Sequence, residues 1–226
     1  MTNRDEFAFW GRQIVEHADF AVQGLQIPAI KARAAASRAE LGSAYQRGDL
    51  QAFLVALDKF MAFKHELLRT QNGSWIGWTF PSLLQHMLDE ETFFLAKLRG
   101  PVDPAQEMQF WLSERMGENQ VGAQLVDPSE PQAVSIMTQT GEKFRSLLAA
   151  CQAACSQRVI QSASQEVLAM DQALAPMRPN APKSLISPVL NTHIRREGMR
   201  MVQAVNRILG GSSRRGPLAS QLGHAS

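Results

Sequence analysis

Along the chain, apolar residues recur at spacings of three and four, and runs of alternating β-branched residues are absent, which predicts an all-α protein. Trp10, Ile14, His17, Ala21 and Leu25 fall on one stripe of a first helix, which Pro28 follows. The Ala-rich stretch from Ala29 to Tyr45 consists of strong helix formers and predicts a second. Arg47-Gly48-Asp49 breaks it, with Asp49 placed to cap a third helix from Leu50 to about Thr70 whose stripe is Leu54, Leu57, Met61 and Leu68. A fourth, from Ser82 to Leu98, opens after Pro81 and closes at Gly100-Pro101. Four helices in about a hundred residues make one bundle.

The pattern then starts again. Phe9-Trp10 has a counterpart in Phe110-Trp111, and Pro81-x-x-x-x-His86-x-x-x-Glu90 reappears as Pro188-x-x-x-x-His193-x-x-x-Glu197. Self-similarity on this scale signals duplication of one structural unit. The predicted helices of the second half are 106–125, 131–154, 156–174 and 184–209. The predicted organisation is a tandem of two up-and-down four-helix bundles, residues 1–101 and 102–211, followed by a flexible tail over 212–226. The offset grows from 101 at the tryptophans to 107 at the histidines, and the proline cluster between Ala175 and Pro182 is the simplest place for the extra residues.

Composition narrows the classes. The 23 Lys and Arg against 21 Asp and Glu are spread along the chain and leave no electrostatic footprint for nucleic acid. No apolar run approaches the ~20 residues of a membrane-spanning helix, so a soluble, cytoplasmic protein is expected. Cys151 and Cys155, four apart in a helical stretch, read as free thiols. Trp75, Trp78 and Phe80 read as a plug at the end of the first bundle, and Arg214-Arg215 as part of a solvated tail.

Candidate chemistry lies on the inner faces. Residues four apart share a helix face, so His86 projects with Glu90 and His193 with Glu197, and each pair can chelate an ion. Glu90 and Glu197 fall on apolar stripes, with Met87 and Phe94 or with Met201 and Val205, where a bare carboxylate is very costly. Seven residues after Trp10 stands His17, and seven after Trp111 stands Glu118. The predicted metal ligands are therefore His17, His86, Glu90, Glu118, His193 and Glu197, with Glu16, His65 and Asp171 as further candidates. This imidazole and carboxylate set suits iron, manganese or zinc. The competing reading is a buried ion-pair network in which Arg99, Arg195 or Arg196 neutralises the carboxylates.

Phe-Trp followed by Glu16-His17, together with Pro81, His86 and Glu90, resembles the Bacillus cereus metalloprotein-like family. The resemblance covers residues 6–210 and implies ferritin-like four-helix bundles in tandem with metal ligands at the motif histidines and glutamates. The second half departs from the pattern, with Gly117-Glu118 in place of a Glu-His pair and Asn191-Thr192 before the histidine. The functional expectation is a non-haem dimetal oxidase or oxygenase, using iron or manganese with dioxygen or peroxide on a small-molecule substrate. The alternatives are a non-catalytic metal-binding or stress-related protein and a structural module with a buried polar network.

Overall fold

A computed structural model describes residues 3–25, 27–70, 79–125, 131–174 and 188–214, without the side chains at several helix ends, among them 79–83, 188–194 and 211–214. The described residues form eight helices and no β-strand: α1 (Asn3–Gly24), α2 (Pro28–Gln46), α3 (Leu50–Thr70), α4 (Thr79–Arg99), α5 (Pro104–Leu125), α6 (Pro131–Ala153), α7 (Gln157–Leu174) and α8 (Pro188–Arg214). None of them is long and apolar enough to cross a membrane. The chain divides into two compact units, Met1–Val102 and Asp103–Ser226. The last helix continues to Arg214, past the predicted end at residue 209 and into the predicted tail. Trp75 and Trp78 lie outside the described residues, as does the side chain of Phe80.

Each unit closes a ring of four helices. In the first, α1 packs on α2 and α4, and α3 on α2 and α4; in the second, α5 packs on α6 and α8, and α7 on α6 and α8. The predicted stripe of α1 is the buried one, with Trp10, Ile14, His17, Ala21 and Leu25 all at most 1% exposed. On α3 Leu57 is fully buried as the pattern predicts, but the rest of the buried stripe lies one residue earlier: Phe53, Ala56, Phe60, Phe63 and Leu67 face inward, while Leu54, Met61 and Leu68 are half-buried. Both series recur every seven residues, and the phenylalanines win because they remove more apolar surface from water.

The helix boundaries correct the placement of the extra residues in the repeat. Asp49 Oδ1 accepts the amide of Ala52, and Ser156 Oγ accepts that of Val159, so two caps 107 residues apart open α3 and α7. The offset is therefore complete before α7, and the added residues lie in the α5–α6 connection and in α6, which has 23 residues against 19 in α2. With α1 matched to α5 at 101, buried positions coincide along the helix: Glu6 with Glu107, Trp10 with Trp111, His17 with Glu118. The aromatic echo holds in geometry as well, the Phe9–Trp10 rings being 5.0 Å apart and the Phe110–Trp111 rings 5.2 Å.

A close approach between α1 and α2 fixes the first unit. Tyr45 lays its ring against Gly11 and donates its hydroxyl to the Ala8 carbonyl at 3.1 Å. A Cβ at Gly11 would lie 2.8 Å from Tyr45 Cδ2. Gly11→Ala is expected to lower stability by about 1–3 kcal/mol through overpacking, read as a lower denaturation midpoint. A Gly11→Ala, Tyr45→Leu double variant is expected to recover part of the loss, since its smaller side chain opens the contact.

Candidate metal centre

In the first unit α1 and α4 pack side by side, and their facing stripes carry the ligand-type residues. His17 comes from α1; His86 and Glu90, one turn apart, come from α4. His17 and Glu90 are fully buried, and His86 is half-buried with a side-chain exposure of 16%. Glu90 Oε2 lies 3.0 Å from His17 Nε2 and 3.9 Å from His86 Nε2. The imidazole rings are 5.7 Å apart, and each of the three residues offers a ligand atom within 4.8 Å of the others. An ion with bonds of about 2.0–2.2 Å needs neighbouring donors roughly 3–3.6 Å apart. The three side chains fit such an ion with small adjustments of His86.

A buried cation absent from the predicted ligand set lies close enough to Glu90 for their charges to attract. Lys64, on α3, is fully buried and pairs its ammonium with the equally buried Glu91. Burial pushes the Lys64 pKa down and the Glu91 pKa up, against their mutual attraction, and Glu90 also helps to hold the Lys64 proton. Lys64 lies on the α3 stripe between Phe60 and Leu67, spacing from which it could have been read as inward-facing.

The second unit treats the equivalent positions differently. Glu118 on α5 and Glu197 on α8 are both buried, and the fully buried guanidinium of Arg115 lies between them. Arg115 Nη2 donates to Glu197 Oε2 at 2.9 Å and pairs with Glu118 as well. Of the residues expected to neutralise these carboxylates, Arg99 is exposed, Arg195 is exposed with its Nε 3.5 Å from Asp171 Oδ1, and Arg196 is half-buried. His193 is on α8, one turn before Glu197, with its side chain outside the described residues.

Of the further candidates, Glu16 pairs with Arg12 at 3.2 Å on the surface of α1, and His65 is exposed, because α3 turns Lys64 inward in its place. The 107-residue offset at α7 makes Asp171 the equivalent of Lys64 instead of His65. Cys151 and Cys155 are free thiols with Sγ atoms 3.0 Å apart. Burial and the neighbouring thiol push the Cys151 pKa up to about 12, which disfavours the thiolate needed for metal binding or attack.

A second pair of repeated contacts ties the first and last helices of each unit. Trp10 donates its indole N–H to Glu6 Oε2 at 3.0 Å, and Lys97 of α4 lies 3.6 Å from the other Glu6 oxygen. The repeat-equivalent Glu107 takes Arg207 of α8. Glu6 and Glu107 precede the tryptophans by one turn, a spacing legible once the two Phe-Trp pairs are aligned.

No family model matches the chain. Over 161 residues, 59% of its length, it is 30% identical to an uncharacterized protein, L567, of Acanthamoeba polyphaga mimivirus, and it spans about half the length of that relative. Among solved structures, an uncharacterized protein from Bacillus cereus G9241 superposes with a TM-score of 0.81 over 92% of this chain and 91% of that one, at 16% identity. That likeness concerns the fold.

Removing one member of a buried ion pair strands the other. Lys64→Met is therefore expected to destabilise the protein by about 3–5 kcal/mol, and Lys64→Met with Glu91→Leu by clearly less. Urea denaturation of both variants checks this; equal losses would contradict it.

Proposed function

We propose that the chain binds a divalent transition-metal ion through His17, His86 and Glu90. The observation that carries this reading is the gathering of two imidazoles and one carboxylate on facing helices, with Glu90 fully buried and 3.0 Å from His17. Two histidines and one carboxylate form the donor set favoured by non-haem iron, and manganese and zinc accept the same donors. Iron or manganese is the ion proposed for this set. An ion held by three protein ligands retains open coordination positions, where it would supply redox and Lewis-acid chemistry towards dioxygen or peroxide. On this reading the protein is a ferritin-like helical oxidoreductase acting on a small molecule, and Glu118, His193 and Glu197 are the second unit's counterparts of the ligand set. The ring of four helices in each unit and the inward-facing ligands on adjacent helices support it.

In this arrangement Glu90 brings the negative charge and His17 and His86 fix its direction. Lys64 and Glu91, immediately behind, hold a compensated pair that keeps the α3–α4 side of the site dry. One observation favours a second reading, in which Glu90 is part of a buried polar network without metal: Lys64 is near enough to Glu90 for their charges to attract.

Elemental analysis of protein purified from iron- and manganese-supplemented medium separates the two. Stoichiometric metal is expected in the wild type, with at least a tenfold loss of occupancy in His86→Ala and Glu90→Gln. Metal should also raise the melting temperature in proportion to its binding, by about 2.7 kcal/mol of added stability at a hundredfold excess over Kd. Absence of metal from the wild type, together with a melting temperature indifferent to chelator, would sink the reading. Loss in Glu197→Gln as well as His86→Ala would add Glu197 to the ligand set. A dioxygen-dependent absorbance change in the metal-loaded protein would favour turnover over storage.

A further inference from the structure

The two units present the same inner positions with different chemistry, and the differences at four of them interlock. At the offset of 101, His17 corresponds to Glu118 and Ile14 to Arg115. At the offset of 107, Glu90 corresponds to Glu197 and Glu91 to Gly198. All eight residues are buried. Where the first unit has an imidazole beside its carboxylate, the second has another carboxylate. Where the first unit has the apolar Ile14, the second supplies a guanidinium to both carboxylates.

The space for that guanidinium comes from the fourth difference. A Cβ built on Gly198 would lie 3.6 Å from Arg115 Nη1 and 3.1 Å from Val167 Cγ1. A glutamate there, as at Glu91, would drive its side chain into the volume that Arg115 and Val167 fill. Val167 itself is the counterpart of Phe60, a smaller side chain on the same stripe. A larger cation-bearing side chain on α5 is thus matched by smaller residues on α7 and α8. Arginine suits the task because its charge is permanent and its planar fork can engage two carboxylates together.

We propose that Arg115 is a built-in cation that takes the place of a metal ion in the second unit, so that the chain binds one ion, at His17, His86 and Glu90, although its repeat supplies two ligand-like sets. The inference rests on the metal-binding reading of the first unit and fixes its stoichiometry. It also names the residue that decides it: Glu118 and Glu197 already share the cation of Arg115, and an entering dication would have to displace a buried charge of its own sign.

The test loads full-length protein with Mn²⁺, removes unbound ion by gel filtration, and counts metal per folded chain. Wild type is expected to hold one ion and His86→Ala none, since the second unit takes none by itself. Glu118→Gln is expected to remain at one. Arg115→Ile, which installs the first unit's residue, is expected to rise to two, and Arg115→Lys, which retains a cation, to stay at one. Two ions on the wild type with one surviving in His86→Ala would overturn the inference and leave the first-unit site standing. So would Arg115→Ile that is folded by circular dichroism and still holds one ion. Should Arg115→Ile fail to fold, Arg115→Gln, which removes the charge but keeps a polar side chain, takes its place: two ions are expected, and one ion on the folded variant overturns the inference. No ion on the wild type would instead be a failure of the metal-binding reading itself.

Discussion

A carboxylate in a dry helical core must have positive charge at its side, and this requirement organises both units. Burying an unpaired carboxylate costs several kcal/mol after relaxation, comparable to the whole stability margin of a domain. Glu91 meets the requirement with Lys64, Glu6 with Lys97, Glu107 with Arg207, and Glu118 and Glu197 with Arg115. Glu90 differs from these in having two imidazoles within 4 Å of its Oε2, besides the attraction of Lys64. A histidine's charge is conditional, and a neutral imidazole offers a lone pair that lysine and arginine do not. Among these carboxylates, Glu90 is the one with neighbours able to coordinate as well as to carry charge.

Much of this was legible in the sequence where two independent signals coincided. Trp10, Ile14, His17 and Ala21 repeat at helical spacing, and the Phe-Trp echo marks the same helix in the second half, so the α1 face and His17 could be read together. His86 and Glu90 were legible as a pair because a helical turn separates them and the pair recurs. The α3 face was not, because Leu54, Met61 and Leu68 offer a series with the same seven-residue period as Phe53, Phe60 and Leu67. The leucine series would turn His65 inward, whereas α3 places Lys64 inside and His65 in solvent. Lys64 and Arg115 escaped for a further reason. Long basic side chains are ordinarily at the surface, and pairing them with their carboxylates requires knowing which helices touch.

The two halves show how one packing plan accommodates different chemistry. Buried positions of α1 and α5 coincide while their side chains change from imidazole to carboxylate and from isoleucine to arginine. Such exchanges come as sets: the guanidinium on α5 goes with a missing side chain at Gly198 and a reduced one at Val167. A single member of the set, moved alone into the other unit, would meet either a steric clash or an unmet charge.

The longer α6 has a geometric consequence. It exceeds α2 by four residues, and a helix advances about 100° per residue, so the addition turns the chain by some 400°, only about 40° past a full revolution. The chain thus leaves α6 in nearly the angular direction in which it leaves α2, and the caps at Asp49 and Ser156 start α3 and α7 alike. Length has diverged between the halves while rotational phase has not, which is how the inner faces of α7 and α8 remain in step with those of α3 and α4.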